Sequence, residues 1–268
     1  MTRKATALNS GSPSPDKSPG LPIETMDKPL EIIYRDESFI AVNKPPGLLV
    51  HRSPIDKKEK RFALQMVRNL VNRHVYPVHR LDRPTSGVLL FALSPETLKQ
   101  TSALFQTGQV TKKYLAVVRG YIPETGTIIH PVKDVRDRFL SQKERQPTEK
   151  RPDSVTGYVR LATVELPVCV DKYPVTRYSL AALYPETGRR HQLRQHMKHI
   201  SHPIVGDTKY GKDVHNKFFA RELGCHGLLL SAVELRFTHP ATGKPVTIQA
   251  APHPDFALIL NRFNWNIS

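Results

Sequence analysis

The stretch His79-Arg80-Leu81-Asp82-Arg83-Pro84-Thr85-Ser86-Gly87, followed by Val88-Leu89-Leu90-Phe91-Ala92-Leu93, decides how this chain is read. A polar, turn-like segment with one carboxylate between two arginines runs straight into an uninterrupted apolar strand. Pro, Thr, Ser and Gly after Asp82 are turn formers, and an aspartate before them ordinarily bonds to nearby backbone amides. Asp82 differs from such a turn residue in having Arg80 and Arg83 beside it, at the mouth of a strand that would hold it at a sheet edge. A carboxylate among cations stays ionised, which suits a nucleophile or a base and not a general acid.

Outward from this segment the chain punctuates itself clearly. Ser94-Pro95 is a helix start, with a capping side chain and proline at the first helical position. Leu98, Thr101, Ser102 and Phe105 share one face, and Gly108 stops the helix. Lys113 to Arg119 alternates as a strand, with Tyr114, Ala116 and Val118 on one side and Leu115 and Val117 on the other. Upstream, EIIY and FIAVN are two strands parted by Arg35-Asp36-Glu37-Ser38, and Asn43-Lys44-Pro45-Pro46-Gly47 ends the second. Ala63, Met66, Val67, Leu70 and Val71 recur at helical spacing.

Downstream, strands are expected at 155–164 and 175–184 and a helix at 189–200. That helix would turn Leu193, Met197 and Ile200 inward and set Arg190 and Arg194 on a neighbouring face. Alternation at Val233, Leu235, Phe237 and again at Val246, Ile248, Ala250 around HPATGKP predicts a hairpin. Strands dominate and helices intervene irregularly. The expected fold class is α+β, a mixed, largely antiparallel sheet flanked by helices, with the active-site cleft across the sheet.

Residues 1–29 are proline-rich and poor in apolar groups, so they read as a disordered tail. One catalytic domain is expected over 30–260, with a charged excursion at 131–154 and a C-terminal tail at 261–268. The 268 residues carry 40 Lys+Arg and 24 Asp+Glu, a net charge of +16. Without the tail, 36 basic residues still face 21 acidic ones, about +15, so the excess belongs to the folded part. That charge fits a phosphate backbone. It fits an anionic membrane less well, because no long basic amphipathic helix with an aromatic stripe is present. Cys169 and Cys225 form no disulfide framework, and no secretory signal or membrane span is evident, so a reducing, cytoplasmic setting is expected.

Two further groups could do chemistry. Thr187-Gly188-Arg189-Arg190-His191-Gln192-Leu193-Arg194 offers arginine forks for phosphates, or one arginine turned inward to a carboxylate. Arg194 lies beside the apolar stripe, so a partly buried head would need a partner, and Asp82 is the candidate. Tyr114, preceded by Lys112 and Lys113, reads either as sheet packing or as a platform for a base, with a phenol that could move a proton. His191, His196, His199 and His202 do not have metal-ligand spacing, so no metal is expected. Asp207 in GDTKYG reads as a turn residue.

Together these segments resemble the RluA-type pseudouridine synthases. NKPPGLLVH at 43–51 is similar to the family's first motif, HRLDRPTSGVLLFAL at 79–93 to its catalytic motif, KKYLAVVRG at 112–120 to its tyrosine motif, and the segment at 187–197 to its third. The resemblance implies that Asp82 is the essential aspartate, that Tyr114 stacks on the target base and shares in removing its C5 proton, and that Arg194 pairs with Asp82. Arg80 would fill the helix space left by a flipped nucleotide. Arg83, Lys44, His51, Lys112, Lys113, Arg189, Arg190 and His191 would join it in holding RNA. The carboxylate's role stays open between attack at C1′, attack on the base and removal of the C2′ proton, the resemblance leaning to the last. No cofactor and no obligate protein partner are implied.

Within the family, HRSPIDKKE at 51–59, the RPTSG loop and the lack of room for an S4-like module in the tail make the chain most similar to the tRNA-modifying members, and that resemblance implies tRNA, at uridine 65, as the expected substrate. Ribosomal RNA, or both RNAs, is the alternative, and a non-catalytic RNA-binding protein is the alternative of another class.

Overall fold

The computed structural model describes residues 29–52, 59–133 and 153–266. The expected tail at 1–29, except for its last residue, and most of the excursion at 131–154 lie outside the described residues. Ser154, placed in that excursion, is buried and opens a long strand.

The strands are β1 (Glu31–Arg35), β2 (Phe39–Lys44), β3 (Tyr76–Pro77), β4 (Ser86–Ala92), β5 (Thr111–Arg119), β6 (Thr125–His130), β7 (Ser154–Leu166), β8 (Thr176–Pro185), β9 (Leu230–Thr238) and β10 (Pro245–Gln249). They form one ten-stranded sheet in the order β1-β2-β4-β9-β5-β8-β7-β6, with β10 on β9 and β3 on β4. Among these ten strands, β4 and β9 alone pair in parallel, through Ser86–Ser231 and Gly87–Ala232, and the other strand pairs are antiparallel. The sheet is mixed and largely antiparallel, as its alternating sequence implies.

The helices are α1 (Ala63–Val71), α2 (Pro95–Gln106), α3 (Gln192–His199), α4 (Asp213–Glu222) and α5 (Pro254–Arg262). They cover both faces. Leu115, Val117, Tyr178 and Leu180 pack on Phe219 of α4 and on Phe256, Ile259 and Leu260 of α5. Ala116, Val118, Ala181 and Leu183 pack on Leu193 and Met197 of α3. The two sets alternate along β5 and β8, which is the period-two signal read from sequence. At the other end, α1 lies on Ile40, Val42, Leu89 and Phe91, and α2 on the opposite side with Phe39, Ala41, Val88 and Leu90. β4 is buried on both faces throughout, which explains its unbroken apolar run.

The short parallel junction positions the site. Gly87 has φ +107°, and a Cβ there would stand 2.0 Å from the Ala232 carbonyl oxygen. Only glycine permits that approach. Next to it Ser86 Oγ donates to Ser231 Oγ at 3.2 Å. The turn before β4 is thereby brought against the start of β9 and the middle of β5.

Several expectations need correction. Helix α3 begins at Gln192 and not at 189, so Arg189 and Arg190 precede it and share no helix face with Arg194. Leu70 of α1 is largely exposed. The expected C-terminal tail at 261–268 is partly core: α5 runs to Arg262, and Phe263 and Trp265 pack against Phe219 and its neighbours. Helix α4 was not foreseen, its two adjacent phenylalanines and uncapped start giving little periodicity.

Candidate active site

Asp82 sits in the turn that feeds β4, where its carbonyl accepts from the Thr85 N–H at 3.1 Å. Buried Leu81 anchors the turn from one side and buried Thr85 from the other. Neighbouring His79 accepts from the Leu90 N–H through Nε2 at 3.1 Å and stacks on Phe105 of α2. Burial lowers the His79 pKa to about 4, with Lys112 adding to the effect, so the ring stays the neutral acceptor this bond requires.

The Asp82 side chain is 15% exposed and opens into a cavity of about 700 Å³. That is within the usual range for a small-molecule or single-nucleotide site. Arg80, Tyr114, Lys112, Arg189, Arg190, His191 and Arg194 line it together with Asp82, so strands β4 and β5 and the α3 entry, far apart in sequence, converge there.

Arg194 reaches Asp82 through Nη1, which donates to Oδ2 at 3.3 Å. Asp82 is nevertheless the lesser of its two partners. Nε donates to Asp207 Oδ2 at 2.7 Å and Nη2 to Asp207 Oδ1 at 2.9 Å. Burial opposes the Arg194 charge, but Asp207 and then Asp82 more than offset it and raise its pKa. For Asp207, burial alone would push the carboxyl up; Arg194 and the Tyr210 and Lys209 amides hold it below the usual carboxylate range. Asp207 is a turn residue, as read from GDTKYG, but its ion pair was missed. The available signal was the buried guanidinium itself, whose five donors exceed what one monodentate carboxylate can satisfy.

His191 adopts a left-handed backbone, φ 59°. This puts its Nε2 3.8 Å from Asp82 Oδ2, while Nδ1 meets the Tyr210 hydroxyl at 3.0 Å. Burial lowers its pKa to about 4 against the pull of Asp82, leaving the imidazole neutral near pH 7. Gln192, also missed, secures this bend. Its side-chain oxygen accepts from the Arg189 N–H and the Thr187 hydroxyl, and its amide donates to the Val155 carbonyl and Thr156 hydroxyl of β7.

Tyr114 lines the cavity from β5. Burial, and secondarily the Asp82 charge, raise its pKa above the ordinary phenol value, so it is a protonated phenol in the free protein. Lys112, two residues earlier and on the same side, donates to the Glu186 carbonyl at 3.3 Å; burial lowers its pKa.

Four residues expected at RNA do not line the cavity. Lys44 is fully buried, and Nζ donates to the carbonyls of Pro45, Leu48 and Arg83 at 2.9, 2.9 and 3.1 Å. An ammonium enclosed by three acceptors holds loops together and meets no phosphate. Arg83 turns away from Asp82, donating to the Gly47 carbonyl and the Glu59 carboxylate, each at 3.0 Å. Adjacent turn residues point to different sides, so proximity in sequence misplaced it. Lys113 faces Glu234 across the β5–β9 pairing and does not line the cavity. His51 is exposed and also stands off the cavity.

A carboxylate, a buried arginine and an aromatic phenol from distant segments thus line one cavity with Arg80, Lys112, Arg189 and Arg190. A family model described as RNA pseudouridylate synthase matches residues 38–199, which contain all of these groups except Asp207 and Tyr210. The chain belongs to the RNA pseudouridylate synthase family. Among similar members, tRNA pseudouridine synthase C of Haemophilus ducreyi is 50% identical over 239 residues, covering 89% of this chain and 98% of the relative. The enzyme of that name from Pasteurella multocida is 49% identical over 239 residues, covering 89% and 98%. Among solved structures, human RNA pseudouridylate synthase domain containing 1 superposes with a TM-score of 0.62 at 29% identity, covering 85% of this chain and 87% of the other. As a pseudouridylate synthase this protein therefore acts on RNA.

Proposed function

We propose that this protein isomerises one uridine of tRNA, at position 65, to pseudouridine. The observation that carries the reading is the largely enclosed Asp82 carboxylate, bonded to Arg194 at 3.3 Å, in a cavity that Arg80, Lys112, Arg189 and Arg190 line together with Glu186. The near full-length similarity to enzymes named tRNA pseudouridine synthase C supports tRNA as the substrate. The position rests on the family resemblance. A reducing, cytoplasmic setting accompanies the reading, supported by two unpaired cysteines.

The reaction breaks C1′–N1, turns the uracil, forms C1′–C5, moves the C5 proton away and protonates N1. A stem uridine must first leave its stack, costing a few kcal/mol. Exposed Arg189 and Arg190 can hold flanking phosphates, and exposed Arg80 can occupy the opened stack. Tyr114 offers its ring face to the extruded base. Asp82 supplies the negative charge at the sugar–base junction, whichever of its three chemical roles applies, and the walls keep the detached base from escaping.

Purified protein should release tritium from C5-tritiated uridine in unmodified tRNA with no added cofactor. Absence of release from several tRNAs by folded protein would overturn the proposal. Mapping pseudouridine in RNA from cells lacking the gene should show loss at tRNA position 65; loss in ribosomal RNA instead would move the substrate to that RNA.

A further inference from the structure

Asp207 has no part in the reaction as described, yet it is the most enclosed acid near the site, with a side chain at 0% exposure. Its carboxylate takes four bonds. Two come from the Lys209 and Tyr210 amides at 2.9 Å each, and these the turn accounts for. The other two come from the Arg194 fork and serve no turn. A guanidinium held at Nε and Nη2 has its plane fixed, so Nη1 can point in one direction only. That direction is Asp82. Through the Tyr210 amide the same carboxylate also sets the residue whose hydroxyl meets His191, and His191 is the second group facing Asp82 Oδ2.

We propose that Asp207 is a positioning residue for pseudouridine formation, aiming both neighbours of the catalytic carboxylate, Arg194 directly and His191 through Tyr210. The inference rests on Asp82 chemistry and is independent of which RNA is used. Asp207 also keeps Arg194 from closing on Asp82. A buried arginine without its main carboxylate would turn its fork to the remaining one. Asp82 would then be clamped by two bonds where it now has one long one, and would lose the freedom to meet the ribose.

Two measurements test this. In the free protein, the Arg194 Nε–H signal in a nitrogen-15 correlation spectrum, assigned by its loss in Arg194→Lys, should be slow to exchange and should persist in Asp82→Ala. Its loss in Asp82→Ala would show that Asp82 holds the guanidinium and would overturn the proposal. Second, Asp207→Asn keeps an acceptor for the two amides and removes the charge. Its single-turnover rate should fall about 100-fold while RNA affinity changes by less than about threefold. A lower melting temperature with an unchanged rate per folded molecule would assign Asp207 to stability alone and overturn the proposal. If Asp207→Asn does not fold, Tyr210→Phe, which leaves every Asp207 bond in place, should still slow turnover about tenfold at unchanged affinity; an unchanged rate would remove the His191 route. The spectroscopic arm needs no RNA, so a wrong tRNA assignment would leave it decisive.

Discussion

Lys44 donates to the backbone carbonyl of Arg83 at 3.1 Å, joining the end of β2 to the residue that follows Asp82. The same ammonium ties down the Pro45 and Leu48 carbonyls, and the Gly47 N–H donates to the Arg83 carbonyl at 2.8 Å. The first and second motifs are thus one hydrogen-bonded unit. Burial draws the Lys44 pKa down to about 7 while Asp82 opposes the fall. Lys44→Met preserves bulk but leaves three carbonyls without this donor. It should cost about 3 kcal/mol of stability, the scale of a few unpaired buried acceptors, measured by urea unfolding. A loss of RNA affinity without a loss of stability would return Lys44 to the RNA interface.

Asp82→Asn should abolish turnover and leave most RNA binding in place, because Asn keeps an acceptor for Arg194 Nη1 and removes only the charge. Single-turnover assays beside filter binding test this. Ordinary turnover by the variant would refute the catalytic role.

Tyr114 has a phenol pKa pushed up by burial and by Asp82, so phenolate should not form in the free enzyme at working pH. The turnover rate between pH 7.5 and 9.5 should show no rise of the kind an ionising tyrosine base would give. Such a rise, absent in Tyr114→Phe, would overturn the reading.

Acid should destabilise the fold through His215. Burial lowers its pKa from 6.5 to about 4, and its Nδ1 meets the Tyr178 hydroxyl at 2.8 Å. Between pH 6.5 and 4 the unfolded chain therefore binds the proton that the folded chain refuses. The contribution is complete above 6.5 and is lost as pH falls to 4. His215→Gln keeps an acceptor and cannot titrate, so its melting temperature should fall less between pH 7 and 5 than that of the natural protein. Parallel curves would exclude His215.

RNA binding should weaken with salt. Replacing Arg189 and Arg190 together by Gln should reduce the slope of log affinity against log salt by about two. Replacing Lys113 and His51, which stand off the cavity, should leave the slope unchanged. Titration at four salt concentrations distinguishes the pairs.

Strand β4, buried on both faces and so uniformly apolar, the Ser94-Pro95 start of α2, and the alternation that sends Tyr114 to one side of β5 and Leu115 to the other are legible in the residues alone. These are local signals, written in periodicity and turn chemistry. The helix α5 was also legible, with Pro254 at its start and Phe256, Ile259 and Leu260 at helical spacing. Motif order identified Asp82, Tyr114 and Arg194 as a set. Where the long cationic side chains point depends on contacts made across the fold. Arg80 and Arg83 both lie within two residues of Asp82, yet one lines the cavity and the other bonds to Gly47 and Glu59. Lys44 turned inward and Arg194 was shared with Asp207 for the same reason. A long cationic side chain settles where an acceptor waits, and the acceptors here come from segments tens of residues away that the sheet brings together.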